Sequence, residues 1–486
     1  MAETTLELAL PPDGSARLFR HAAIAQRPRS ARLAASLHGS ADGALEEAGL
    51  AVIVERRRRG AVQRLVRALP RGDATWLPGA PMPVLAETLL AEPTPDLDAV
   101  AAHAGLPAGM MPLGLAELHG RTLAAEARGV RLTLLAASLR SIAAERPVAR
   151  VTLAGERAAV FALATTLAAD LPLMVPATSL AEEARALSRN EAPRPLCDGA
   201  PRIARGATTA EAFSAVVSHL TLAMLANAPA AHAGETPAGV HQMRVALRRL
   251  RSALTLFKDL AGHDGAAASG GLKGLARCLG PARDWDVFLG GRLAELAAAF
   301  AGDSRIAALR DDAMAEREAA YAALRSALDA PGFRLLCLSL AALARAPLEA
   351  PEPATGFAAR ALNRRLRRVL RHGEDLSGLP PPELHRLRLD AKRLRYAGEM
   401  FGPLYGERKL RRFLRALAAV QEELGHLNDI AVAAALLSNL ARPDDADRAF
   451  AIGAAEGWIA AKADGAREAA FAAWEKFLGR DLFWDG

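Results

Sequence analysis

Residues His241–Arg251 read HQMRVALRRLR, and residues His385–Arg395 read HRLRLDAKRLR. Both follow one pattern, His-x-x-Arg-x-x-x-(Arg/Lys)-Arg-x-Arg, and they start 144 positions apart. The same spacing takes Phe213 to Phe357 and Pro237 to Pro381. Further on, LGPARD at Leu279–Asp284 returns as LGHLND at Leu424–Asp429, now 145 positions away. A series of matches at one spacing marks an internal duplication, and a duplicated unit is read before any motif inside it. Two copies follow, about 208–350 and 354–486, expected to pair about a pseudo-twofold axis.

The duplicated region is rich in alanine, leucine and arginine, carries almost no strand pattern and has short connections, which predicts a helical bundle. At 100° per residue His241, Arg244, Arg248 and Arg251 fall within about 80° of one another, while Met243, Leu250, Leu254 and Phe257 group elsewhere. Thr236 and Pro237 suit the N-cap and first position of this helix, which places His241 near its N-terminus, where free N–H groups favour an anion. A second helix, Phe357–Arg371, holds Arg360, Arg364, Arg367 and Arg371 in a narrower stripe flanked by Arg368. From Phe357 to Val420 there are 16 Arg and Lys against 6 Asp and Glu, so ion pairing along the helices leaves most cations unmatched. A charge run is ordinarily a solvated face. Here the stripe is duplicated in register and spaces like charges so that they repel, which points to an anionic ligand. Arginine suits phosphate because its planar fork grips two oxygens and stays charged. His241 and His385 lack a second ligand at helical spacing, so no metal site is expected. Asp284 and Asp429 are expected to orient stripe arginines.

The first 190 or so residues differ. Alternating apolar positions at Leu6, Leu8 and Leu10, at Ala51–Glu55 and Ala61–Ala68 around the turn Arg56–Gly60, and at Val130–Ala136 and Val148–Leu153 predict strands, the second pair a hairpin. A helix is expected from about Glu156 to Ala169. The fold class predicted is therefore an α+β domain, 1–195, followed by an all-α domain, 205–486.

The chain of 486 residues is 51% hydrophobic, ample for more than one core. The sequence shows no run of about 18 uninterrupted apolar residues and no signal-peptide pattern, so the expectation is a cytoplasmic protein without a membrane segment. Cys197, Cys278 and Cys337 are too few and too scattered for a disulfide framework, which fits a reducing compartment. A net charge of +7 accords with an anionic partner.

The blocks Val240–Val245, His385–Tyr396, Leu279–Val287 and Leu424–Asp429 resemble the signatures of the CHAD family, over about 208 to the end. The resemblance implies two pseudo-symmetric four-helix bundles around a basic surface, non-catalytic binding of inorganic polyphosphate, and localisation to polyphosphate granules with granule proteins as possible neighbours. It makes His241, Arg244, Arg248, Arg249 and Arg251, with His385, Arg388, Lys392, Arg393, Arg395 and Tyr396, the anion contacts, beside the stripe Arg360, Arg364, Arg367, Arg368 and Arg371. The N-terminal part resembles the CYTH family of triphosphate tunnels, with an antiparallel barrel-like sheet. That family opens on Glu-x-Glu-x-Lys, whereas Thr5–Ala9 keeps only Glu7, and Val130–Leu134 and Ala149–Leu153 carry no acid. Metal-dependent hydrolysis of a triphosphate needs several carboxylates, so the sequence predicts neither cofactor nor catalysis. A triphosphatase in this domain is the alternative reading. Nucleic acid is a further alternative, disfavoured because aromatic residues make up 5% of the chain and offer few stacking platforms.

Overall fold

The computed structural model describes residues 3–485 except 72–74, 198, 375, 377, 443 and 463–465, and, within helices, omits the side chains of 381, 426–430, 462, 466 and 467. The chain divides into two compact units. One comprises Met1–Gly199 with Val217–Ala226 and Ala330–Ala346; the other comprises Ala200–Val216, Asn227–Asp329 and Pro347–Gly486.

In the first unit β1 (Thr4–Ala9), β2 (Arg29–Ser40), β3 (Leu50–Arg56), β4 (Ala61–Arg67), β5 (Val84–Leu90), β6 (Pro112–Ala127), β7 (Val130–Arg140) and β8 (Glu145–Gly155) form one antiparallel sheet. The order is β1-β8-β7-β6-β2-β3-β4-β5, and the sheet curls into a half-barrel. Helices α1 (Ser15–Leu18), α2 (Ala44–Glu47), α3 (Leu97–Ala104), α4 (Arg157–Asp170) and α5 (Leu180–Arg189) accompany it. The predicted hairpin is β3–β4, and its turn needs Gly60 at φ 72°: a β-carbon there would lie 2.2 Å from the Leu90 carbonyl oxygen. Successive residues of a strand face opposite sides. Ala51 accordingly packs with Leu37, Leu118, Leu139 and α5, through Leu180, Ala181 and Ala184, whereas Val52 and Val54 pack with Leu45 of α2 and Leu97 and Val100 of α3. On the α5 side Glu7 is half-buried, and its partial desolvation raises its pKa although Arg150 opposes the shift. Arg150 is also paired with Glu183 of α5, and Arg64 with Glu55 and Glu87 at 2.8 and 2.7 Å. Glu55 and Glu87 are acids of this domain that the sequence reading did not single out.

Helix α6 (Thr209–Ala233) has its ends in the second unit and its middle, Val217–Ala226, in the first; its start is fixed by a capping box in which the Thr208 side chain accepts from the Glu211 N–H and Glu211 accepts from Thr208. Then come α7 (Pro237–Leu256), α8 (Lys258–Gly290), α9 (Arg292–Ala299) and α10 (Ser304–Asp329). Helix α11 (Pro331–Ala344) falls in the first unit. The second copy supplies α12 (Ala354–His372), α13 (Pro381–Phe401), α14 (Glu407–Asn439), α15 (Ala446–Lys462) and α16 (Ala466–Leu478). Neighbours run α7–α8–α10 in one copy and α12–α13–α14–α16 in the other, and the equivalent helices meet across the repeat, α7 with α13 and α8 with α14.

The join is aromatic. Phe257 stacks on Phe357 with centroids 4.7 Å apart, Phe213 meets Phe257 edge-on at 5.3 Å, and Phe357 meets Phe401 at 6.0 Å. Phe213 and Phe357 are counterparts at the 144-residue spacing, and so are Phe257 and Phe401. Two symmetry-related pairs thus make one four-ring cluster, a geometry aromatic rings favour. Helix α6 is apolar enough to cross a membrane by composition, with a mean hydropathy of 1.3 over its best 18-residue window, of which 67% is buried within the protein.

Candidate anion-binding cavity

Helix α7 starts as expected, with Thr236 at the N-cap and Pro237 at the first position, although the Thr236 side chain makes no capping hydrogen bond. Its foundation is Asp286 on α8, a buried carboxylate that accepts from Arg317 Nε at 2.7 Å and from the Tyr321 hydroxyl at 2.8 Å. Arg317 also donates to the Gly234 carbonyl at 3.2 Å, tying α10 to the loop that precedes α7.

Between α7, α8, α12 and α13 lies a cavity of about 820 Å³. Helix α7 contributes Arg244, Arg248 and Arg251; α12 contributes Arg364, Arg365, Arg368 and Arg371; α13 contributes Lys392, Arg393 and Tyr396; α8 adds Lys258 and Asp259. Among the described residues, ten cationic side chains therefore face one carboxylate. A smaller cavity of about 400 Å³ shares Arg368, Arg371 and Arg393 with it and adds His372, Arg386 and Asp390.

The cations are crowded and partly desolvated. Burial, then Arg393 and Arg368, pulls the Arg365 guanidinium down to about 10. Arg244 is lowered by burial, with Asp284 acting against the shift. His241 is lowered by burial and by Arg283, Arg248 and Arg244. Tyr396 is 5% exposed, lines the cavity, and has a hydroxyl without a hydrogen-bond partner among the described residues; the Arg248 Nε is buried in the same condition. Buried donors are ordinarily satisfied; both atoms are sealed from the cavity as the side chains stand and would have to turn to meet a ligand's oxygen.

Two of the arginines rest on a glycine of the next helix. A β-carbon at Gly280 would stand 3.4 Å from the Arg244 guanidinium, and one at Gly425 would stand 3.5 Å from that of Arg388. The duplicated Leu-Gly is thus a seat on which each copy's first arginine lies against the next helix.

Of the residues singled out in the sequence, Arg244, Arg248, Arg251, Arg364, Arg368, Arg371, Lys392, Arg393 and Tyr396 come together around the cavity. His241, Arg249, Arg360, Arg367, His385, Arg388 and Arg395 are not among its lining. Arg249 and Arg395 turn instead to Glu399, at 2.6 and 3.3 Å, and Arg360 to Glu352. Arg393 shares its place on the wall with an ion pair to Asp390 at 2.8 Å. The side chains of Asn428 and Asp429 lie outside the described residues. Arg365 was missed because it stands off the narrow stripe; the cavity faces Arg364, Arg365, Arg368 and Arg371, a rotation of about 60° around α12. Among the described residues no group of His, Cys, Asp and Glu is arranged to hold a metal ion.

The two copies are unequal. At the 144-residue spacing Arg364, Arg365, Arg368 and Arg371 of α12 correspond to Leu220, Thr221, Met224 and Asn227 of α6. Leu220, Thr221 and Met224 are buried. The first copy therefore brings one cationic helix to the cavity and the second brings two.

A duplicated helical fold around a cavity of converging cations is the class of domain that the structure defines. Residues 215–438 match the CHAD domain family. A crystal structure of the CHAD domain from the plant Ricinus communis is 32% identical, with a TM-score of 0.51 over 57% of this chain and 94% of that one. PptA from Streptomyces chartreusis is 20% identical, with a TM-score of 0.46 over 55% of this chain and 100% of that one. No curated protein matches. The chain belongs to the CHAD family, which is associated with polyphosphate binding.

Proposed function

We propose that the helical unit binds inorganic polyphosphate in the cavity between α7, α8, α12 and α13, without transforming it, and that this binding carries the protein to polyphosphate-rich granules of the cytoplasm. The supporting observation is the convergence of ten cations on one space with a single carboxylate among them. A phosphate polymer presents charge at every unit, matches the arginine fork, and gains affinity by releasing its counterions. Nucleic acid finds less here, since among the described residues Tyr396 is the one aromatic residue on the wall. The half-barrel is read as a non-catalytic partner domain, because Glu7 and Glu183 are engaged by Arg150, and Glu55 and Glu87 by Arg64.

The test is a melting curve with long-chain polyphosphate. A ligand selective for the folded state raises the melting temperature. The rise is expected to be large at low salt and to shrink steeply as salt increases, the affinity falling roughly a thousandfold or more between about 50 and 200 mM. Changing Arg248, Arg365 and Lys392 together to alanine should remove most of the rise. Bound nucleic acid that long polyphosphate cannot displace would end this reading. Magnesium-dependent release of phosphate from tripolyphosphate, lost on Glu7→Ala, would make the half-barrel an enzyme.

A further inference from the structure

A second basic groove, of about 650 Å³, lies between α14 and α16. Its rim is Arg412 and Arg415 from α14 with Lys476 and Arg480 from the end of α16 and just beyond; its floor is alanine from both helices, and Glu423 is its one acid among the described residues. The four cations are exposed, and none of their side chains has an ion pair or hydrogen bond among the described residues. Lys476 sits in the last turn of its helix, where the dipole welcomes a cation. Arg412 and Arg415 have no such reason to be where they are. They stand in the first third of α14, well past its first turn, and three residues apart, where like charges repel. The small floor residues leave the groove open to an extended chain without bulky substituents.

The groove faces away from the central cavity. Gln421 donates to the Ala391 carbonyl of α13 at 2.8 Å, so its side of α14 is the α13 side. Arg412, Arg415 and Glu423 share a stripe about 170° around the helix from Gln421. The cavity is walled by α13 and not by α14.

We propose that this groove is a second site for phosphate polymer, so that one molecule grips two segments at once and cross-links them. This rests on the polyphosphate reading of the cavity. Two sites on one body make a bivalent linker, and bivalent linkers on a multivalent polymer build networks.

Two probes separate the sites: tripolyphosphate, followed by calorimetry, and long-chain polyphosphate, followed by light scattering at low salt. The wild type is expected to bind two tripolyphosphates and to scatter strongly with the polymer. Arg412→Ala, Arg415→Ala, Lys476→Ala and Arg480→Ala together should leave the unliganded melting temperature unchanged, halve the stoichiometry, abolish scattering and lower the salt slope for the polymer by roughly 3, at about 0.7 per lost contact. Arginine-to-lysine changes at 412, 415 and 480 should keep the scattering. A quadruple variant that scatters like the wild type, with an unchanged slope, overturns the second site. A wild type that binds one tripolyphosphate and does not scatter also overturns it while leaving the cavity reading intact; a wild type that binds neither probe removes both.

Discussion

Tyr396 carries a phenol that is buried on the cavity wall and unpartnered. A buried hydroxyl without a partner costs about 1–3 kcal/mol, and the same hydroxyl given to a phosphate oxygen returns a charge-assisted bond of similar size. Tyr396→Phe is therefore expected to leave the unliganded protein as stable or up to about 1 kcal/mol more so by denaturant titration, while weakening polyphosphate about tenfold. His241 has its pKa lowered by burial and three arginines. A base lowered in the folded state resists protonation, so stability from this group declines as pH falls from about 6.5 toward its lowered value. A bound polyanion reverses the field and raises the pKa, so binding takes up a proton and tightens over that interval; affinity measured against pH should show this, and His241→Gln should flatten it. The signature residues were legible from spacing, because a repeated helix announces its own face. Arg365, Arg386 and the Arg249–Arg395 attachment to Glu399 were not, since side-chain partners on other helices leave no mark in a single helix's periodicity.

Among the elements, the helices were readable and much of the sheet was not. Prolines at 237 and 381 and the duplicated histidine blocks placed α7 and α13. Strands β2 and β6 escaped because RSARLAASLHGS and PLGLAELHGRTLAAEA are rich in alanine, serine and glycine, residues of weak strand preference whose conformation is set by their neighbours' ladders. Helix α5 was overlooked although its sequence announces it: Ser179 caps its start, Glu182 and Glu183 fill the first turn, and Asn190 closes it in a left-handed conformation. The Leu-Gly seats define a prediction for α8: Gly280→Val fits a helix about as well as glycine, so stability should stay within about 1 kcal/mol. Its branches would displace the Arg244 guanidinium, and titration with polyphosphate should show weaker binding with little change in denaturation. Asp286 behaves oppositely. Asp286→Ala strands Arg317 and Tyr321 and should lower unfolding stability by about 3–5 kcal/mol.

For the molecule as a whole, the duplication was evident in the sequence but its inequality was not, because α6 and α12 align in position while differing in face. Met224→Arg would restore the cation that α12 carries at Arg368, but Met224 is buried. The substitution should destabilise by roughly 3 kcal/mol or more in chemical denaturation, as an unpaired charge taken out of water does. The ten cations around the cavity have one further consequence, for the protein with no polymer at all. Charge of one sign held in a small volume behaves like a bead of anion-exchange resin: it must draw mobile ions from the buffer to stay neutral, and it prefers those of higher valence. Chloride, sulfate and pyrophosphate, compared at equal ionic strength, should therefore rank in that order as stabilisers, and any buffer chosen for this protein is itself a competitor for the resin.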